Sequence, residues 1–292
     1  MSQAQKQKKL RTSYQVNEQF TSIQGEGVLA GSRASFIRLQ GCTVGCWWCD
    51  SGPLADLPDF TEMEIKAAVH ATQQGINLAS DTDMDFDLLE RASKKEFPEG
   101  DVAYAARVAV AGQYRTTNGR TRNTWAKGGD RVSVKDILAR VESHHVVITG
   151  GEPTLYDLDG LLQPLYEKRC FTQLETSGQN GLKGNMKPSW ITWSPKENLN
   201  WNAPYGIKTF ADEVKWVLDD VLWKNQDVIS DMWEYMIRVR EKKLPYFVIM
   251  PEGSPPKQEN IERCFEILAK VPKYAHMYWR FGPRLQYDLG VR

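Results

Sequence analysis

The sequence predicts an α/β fold, a parallel sheet or a barrel that carries a helical insertion, and three observations lead there. Short β-rich runs recur along the chain with helical patterns between most of them, as strand–helix–strand units require. Several runs end in glycine-bearing turns, "LQGC", "ITGGEP" and "ETSG". Between Cys49 and Gly150 lie 100 residues, far more than one crossover connection needs.

Taken in order, the β-rich runs are "SFIRLQ", "HVVITGG", "FTQLETSG", "WITWS", "DEVKWVL", "YFVIMPEG" and "HMYWRFG". The segment "SVKDILARVES" reads as a helix leading into the strand before "TGGEP". Ser133 and Asp136 have capping-box spacing, and Val134, Ile137, Leu138 and Val141 repeat as a buried stripe. Functional groups of α/β proteins gather at the carboxyl ends of strands, which places Gly41, Gly150 and Ser177 on one face. The expected organisation is a single domain over residues 1–292 with a helical insertion at 53–121. Inside the insertion, "DFTEMEIKAAVHATQQG" has a Thr61 cap, Glu64 three residues on and Gly75 as its stop. "DFDLLERASKKEFPEG" and "DVAYAARVAVAG" read as two further helices. The stretch that follows sets Arg115, Arg120, Arg122, Lys127 and Arg131 against Asp130 alone, either a solvated loop or a contact for an anionic partner.

Lysine plus arginine and aspartate plus glutamate each number 37 in 292 residues, so no global charge draws the chain to nucleic acid or a membrane surface. The opening "MSQAQKQKKLRTSYQ" is basic and polar without a following apolar run, and no stretch approaches the ~18 apolar residues of a spanning helix. A cytoplasmic protein with no membrane and no direct nucleic-acid partner is expected. Five cysteines in a reducing compartment argue against a disulfide framework and leave metal binding, catalysis or burial. Cys170 and Cys264, each isolated in apolar surroundings, are expected to be buried.

The other three thiols, Cys42, Cys46 and Cys49, stand together in "FIRLQGCTVGCWWCDS". Zinc and iron–sulfur clusters both want thiolates this close. Structural zinc needs four ligands, yet there is no second cysteine pair, and His70, His144, His145 and His276 have no zinc-knuckle spacing. Three thiolates suit a 4Fe-4S cluster with one iron left open.

The C-x3-C-x2-C spacing, with Trp48 before its last cysteine, resembles the signature of radical S-adenosylmethionine enzymes. That resemblance implies a partial, incomplete TIM-like barrel. It also implies a cluster whose open iron chelates S-adenosylmethionine and cleaves it to an adenosyl radical. Trp48 would then lie near the adenine, with Cys49 and Asp50 also meeting the cofactor, and Gly151 and Glu152 of "TGGEP" beside the methionyl amino group. Glu175 of "ETSG" would accept from ribose hydroxyls, and Ser194, Pro195 and Lys196 of "WSPKEN" would hold the carboxylate.

Before the cluster lies "EQFTSIQGEGVLAGSRASFIRLQGC". With "VVITGGEP", "LETSG", "SPK", "DEVKWV" and the closing "LGVR", this segment resembles the 7-carboxy-7-deazaguanine synthases. The likeness covers the chain outside roughly 53–121. It implies ring contraction of 6-carboxy-5,6,7,8-tetrahydropterin to 7-carboxy-7-deazaguanine with loss of ammonia, in 7-deazapurine biosynthesis of the queuosine type. Gln24, Glu26 and Arg38 are the implied catalytic groups, with Arg38 forking the substrate carboxylate. Ile23, Gln24, Gly25, Thr149 and the terminal carboxylate of Arg292 are the implied substrate contacts. Ser51 is the implied ligand of a Mg2+ ion. A homodimer and a flavodoxin- or ferredoxin-type electron donor follow from the same likeness. Met250 and Gln286 depart from the glutamine and histidine that many members carry. A glycyl-radical activase is the rival enzyme reading, although "IQGEG" and "LGVR" have no place in one. A noncatalytic protein with thiol-bound zinc is the rival outside enzymes.

Overall fold

The computed structural model describes residues 10–42, 44, 129–239, 243–253 and 256–290. The chain divides into two compact units, Met1–Gln40 with Gly129–Arg292, and Gly41–Gly128. The insertion helices expected at 53–121 lie outside the described residues, as do Cys46, Trp48, Cys49, Asp50, Ser51 and Arg292.

The first unit holds an open sheet, nine-stranded among the described residues. Its strands are β1 (Ser13–Ile23), β2 (Arg33–Leu39), β3 (Asp130–Ser133), β4 (His145–Gly150), β5 (Phe171–Thr176), β6 (Trp190–Trp193), β7 (Glu213–Leu218), β8 (Tyr246–Pro251) and β9 (Trp279–Phe281). The spatial order is β3-β1-β2-β4-β5-β6-β7-β8-β9. From β2 through β9 every neighbouring pair in that order is parallel. The helices are α1 (Val134–Ala139), α2 (Asp159–Glu167), α3 (Tyr205–Phe210), α4 (Asp220–Lys224), α5 (Asp227–Val239), α6 (Gln258–Lys270) and α7 (Leu285–Asp288).

Because the parallel strands are laid down in chain order, each right-handed crossover steps the same way and leaves its helix on the same face. That face is the apolar core. Ile37 and Leu39 of β2, Val146 and Ile148 of β4, and Val214 and Trp216 of β7 pack there with Leu161 and Leu165 of α2 and Trp233 and Met236 of α5. Side chains alternate along a strand, so the residues between them face the other way. There Phe20, Phe36 and Val147 form a small apolar cluster. Gln173, Thr192, Glu213 and Lys215 share that second face and are buried despite their polarity.

The seven β-rich runs all contain strands, although "HMYWRFG" contributes only Trp279–Phe281. The two antiparallel strands β1 and β3 were not expected. A bulge between Val16 and Glu18 explains the first omission, because it moves β1 from one face of the sheet to the other. Val16 pairs with Leu39 on the core side, Glu18 with Arg38 on the polar side, so a single period-2 pattern never forms. Ser133 caps α1 as expected and accepts from Asp136 N–H at 3.1 Å, but within the stripe only Ile137 is fully buried. Cys264 is buried, whereas Cys170 is half-buried, a correction to the expectation for it. No helix among the described residues is long and apolar enough to cross a membrane.

At the end of β4, Gly150 has φ +120°, and a Cβ there would stand 2.3 Å from the Leu39 carbonyl oxygen. Neither the backbone angle nor the space admits a side chain. Gly150→Ala should destabilise the fold by about 2–4 kcal/mol; an unchanged midpoint in urea would show that β2 and β4 separate more easily than their packing indicates.

Candidate active site

Nine residues join β1 to β2, and the turn inside this connection is held by Gln24 N–H to Ser32 O (2.7 Å) and Gly31 N–H to Gln24 O (2.7 Å). It carries "QGEG" across the polar face rather than away from it. Strand order puts four strands between β1 and β7, about 24 Å in a flat sheet. Nevertheless Val28 N–H reaches the Glu213 carboxyl on β7 at 3.2 Å. Glycine makes the crossing possible at Gly27, whose φ is +76° and whose absent Cβ would lie 2.1 Å from Glu213 Oε1.

Under this turn lies Lys215 of β7, its side chain 9% exposed. Its ammonium donates to Glu26 Oε2 at 2.8 Å and to Glu175 Oε2 at 2.9 Å. Gln24 Nε2 donates to Glu175 Oε1 and to Gln173 Oε1, both at 3.2 Å. Gln173 passes the chain on, donating to Glu175 Oε1 (2.8 Å) and Thr192 Oγ1 (3.1 Å) and meeting His145 Nε2 at 2.9 Å. Since its amide nitrogen faces a carboxylate, its oxygen is the acceptor and His145 donates through Nε2. Gln286 Nε2 donates to Glu26 Oε1 at 2.8 Å, and Leu285 N–H donates to Gly25 O at 2.9 Å, so the start of α7 closes over the turn.

The electrostatics follow from burial and from who stands beside whom. Desolvation opposes the charge on Glu26, but Lys215, Arg284 and a bond from Gln286 outweigh it and hold the carboxyl down at about 2. Desolvation likewise opposes the charge on Lys215, and the neighbouring Glu175 and Glu26 more than reverse that, so its pKa is raised. Glu213 goes the other way. Burial, reinforced by the negative Glu175, pushes it up to about 7 against the pull of Lys215. Its Oε2 accepts from Val28 N–H and Trp190 Nε1, while Oε1 finds no partner among the described residues.

The strand-end motifs form a second cluster around Glu152, which is fully buried. Oε1 accepts from Thr154 N–H at 3.0 Å and from the hydroxyls of Thr154 and Thr176, each at 2.6 Å. Oε2 accepts from Ser177 N–H at 2.9 Å and from the Ser177 hydroxyl. Glu152 thus ties the turn after β4 to the turn after β5. Trp193 Nε1 donates to Ser177 O at 2.9 Å, and Ser194 N–H to Thr176 O at 2.8 Å, which brings in the end of β6. There Lys196 Nζ donates to Ser194 Oγ at 2.8 Å, and Pro195 between them is buried. Gly151 N–H donates to Leu39 O at 3.0 Å, so the end of β2 joins the same edge.

Arg38 and Thr149 are register partners on the polar face. One Arg38 Nη lies 2.8 Å from Glu18 Oε1, and the guanidinium sits 5.4 Å from the centre of the Phe20 ring. Ile23 ends β1 and is half-buried. Three residues beyond β2, the Cys42 sulfur accepts from Val44 N–H at 3.4 Å. Sequence reasoning left Lys215, Glu213 and Gln173 without roles in the site and marked Gln286 only as a departure from the histidine that many members carry. The signal for the first two was in plain view, a lysine and a glutamate at alternate positions of "DEVKWVL", but that pattern also describes a strand with a solvated face.

Two stability measurements probe this arrangement. Glu152→Gln turns an amide nitrogen toward groups that all donate, and should lower stability by about 2–4 kcal/mol in urea unfolding. Glu213 binds its proton more tightly folded than unfolded, from the ordinary 4.5 up to about 7. Its contribution is therefore full below pH 4.5 and is lost as pH rises through 7. Glu213→Gln should match wild type near pH 4.5 and exceed it at pH 8 by about 1–3 kcal/mol. Equal stability at both pH values would mean that Glu213 is an ordinary ionised carboxylate.

No family model matches the chain. A 7-carboxy-7-deazaguanine synthase of Escherichia coli (strain K12) is 32% identical over 187 residues, 64% of this chain and 62% of that protein, so the match spans less than two thirds of that relative's length. One from Synechocystis sp. is 27% identical over 284 residues, 97% of this chain and 96% of the relative. One from Aquifex aeolicus is 24% identical over 272 residues, 92% and 90% of the two chains. The crystal structure of QueE from Escherichia coli shares the fold, with a TM-score of 0.55 at 23% identity over 92% of this chain and 93% of that one. Over nearly its whole length, then, the chain is similar to the 7-carboxy-7-deazaguanine synthases.

Proposed function

We propose that the protein is a radical S-adenosylmethionine lyase that contracts 6-carboxy-5,6,7,8-tetrahydropterin to 7-carboxy-7-deazaguanine with release of ammonia, in a queuosine-type 7-deazapurine pathway. One observation carries the reading beyond sequence likeness. The "IQGEG" turn, "LETSG" and "DEVKWV", far apart in the chain, meet through the two carboxylates on Lys215. The acceptor oxygens of Gln24 and Glu26, held side by side in that turn, suit a heterocycle edged with N–H groups.

The residues fit the implied cofactors. The Cys42 sulfur already receives a backbone N–H, the contact that commonly supports a cluster-bound thiolate. Cys42, Cys46 and Cys49 would hold a 4Fe-4S cluster. Ser194, Pro195 and Lys196 would hold the carboxylate of S-adenosylmethionine, Gly151 its amino group and Glu175 its ribose, with Trp48 near the adenine and Asp50 also meeting the cofactor. Glu152 already serves two turns with its whole carboxylate, so its part is to shape that edge. When bound, cluster and cofactor supply the radical that takes hydrogen from the substrate. Ser51 would lend its hydroxyl to Mg2+; among the described residues no three metal-ligating groups cluster.

Arg38 would fork the substrate carboxylate, exchanging or sharing its contact with Glu18. Ile23, Gln24, Gly25, Thr149 and the Arg292 carboxylate would orient the ring. The reach of the turn from β1 to β7 supports a sheet curled into a partial barrel. A single domain with the 53–121 insertion, a homodimer, a flavodoxin- or ferredoxin-type donor and a cytoplasmic setting belong to the same reading.

Anaerobic turnover of cluster-loaded protein with S-adenosylmethionine, Mg2+, dithionite and the pterin, read by mass spectrometry, should yield deazaguanine with little net loss of S-adenosylmethionine. Accumulation of 5'-deoxyadenosine alone would refute the substrate and keep the radical chemistry. Arg38→Ala should keep cofactor binding and lower kcat/KM roughly 10–100-fold, the scale of lost charged hydrogen bonds. Wild-type kcat/KM in that variant would remove Arg38 from the site.

A further inference from the structure

Lys215 has no assigned part in this chemistry, yet its ammonium is the only atom that touches both Glu26 and Glu175 among the described contacts. Under the proposed function these carboxylates serve different ligands, Glu26 the pterin and Glu175 the ribose of S-adenosylmethionine. Bringing two carboxylates together in a covered site is unfavourable unless a cation stands between them. A flexible surface lysine would do this poorly. Lys215 is instead carried by the middle of a parallel strand, with Trp216 anchored in the core next to it. We infer that Lys215 is a positioning residue, whose buried ammonium holds the substrate-reading carboxylate of Glu26 and the cofactor-facing carboxylate of Glu175 at one fixed separation. The inference rests on the function proposed above.

The groups around the ammonium are Glu175 from β5, Glu213 two residues earlier on β7, and Glu26 from the turn, with Arg284 beyond Glu26 at 3.7 Å from its Oε1. Without Lys215, desolvation and mutual repulsion would act on Glu26 and Glu175 with Arg284 as the remaining cation and only amide donors from Gln286, Gln24 and Gln173 beside it. Glu26, which Lys215 helps to hold down, would then take up its proton at higher pH. Losing this one residue should therefore weaken two ligands at once and make pterin binding fall as pH drops.

The test uses cluster-loaded wild type and the Lys215→Met and Lys215→Arg variants, with calorimetric titration of S-adenosylmethionine and of the pterin between pH 5 and 8. Lys215→Met should raise both Kd values at least about tenfold, that of the pterin more at pH 5 than at pH 8. Lys215→Arg keeps the charge but is larger and planar, so both Kd values should rise severalfold with no new pH dependence. Glu26→Gln should weaken the pterin alone and Glu175→Gln S-adenosylmethionine alone. A purely structural lysine would lower the bound stoichiometry and leave Kd and its pH dependence as in wild type, which overturns the proposal. So does a change confined to one ligand. Should Lys215→Met fail to fold, wild-type affinities for both ligands in Lys215→Arg overturn it equally. If wild type binds S-adenosylmethionine but not the pterin, the proposed substrate fails, and the S-adenosylmethionine arm still decides the role of Lys215.

Discussion

A lysine carried to the covered face of a sheet must bring its counter-charges with it, and that requirement organises this protein. Desolvating an ammonium costs several kcal/mol, and only close carboxylates with good geometry repay it. Glu175 comes from two strands away and Glu26 from a turn that crosses the polar face from β1 to β7. The path of residues 24–28 follows from this ion pair together with the Val28 bond to Glu213. In turn the crossing covers Gln24, Gln173 and Thr192, which then need one another as partners. Such a network adds little net stability compared with apolar packing. What it does supply is a defined arrangement of acceptors.

That arrangement depends on a sheet with two distinct faces. Laying parallel strands in chain order gathers the helices on one side and leaves the other for polar groups. The β1 bulge completes the division. Before it, Tyr14 and Val16 fill the apolar core; beyond it, Glu18 meets Arg38 and Phe20 stacks on Phe36 at 4.9 Å between ring centres. One extra residue thus lets a single strand serve both the core and the site.

Glu152 plays the corresponding part at the strand ends. Its carboxylate takes donors from the turns after β4 and β5, so neither turn moves without the other. Trp193 and Ser194 extend the connection to β6. The edge expected to meet S-adenosylmethionine is therefore a rigid one, and Gly150 lets it lie close against the end of β2.

Strands were legible where local composition decides them. "HVVITGG" and "FTQLETSG" contain apolar, β-branched runs closed by glycine, and Ser133 with Asp136 marked the start of α1. The motifs, and the edge at which they collect, were legible for the same reason, since strand ends and glycine turns are local features. β1 escaped because its alternation changes face at the bulge. Lys215 and Glu213 escaped because alternating charged and apolar residues describe a solvated strand as well as a covered one. By itself the sequence determined the α/β class, the seven parallel strands in their order along the chain and the chemistry of its motifs. Only the tertiary structure decided that Glu26 shares a cation with Glu175, that Glu152 ties two turns together and that Glu213 holds its proton to about 7. Those properties arise from desolvation and from neighbours up to 189 positions apart, which no local pattern of residues encodes.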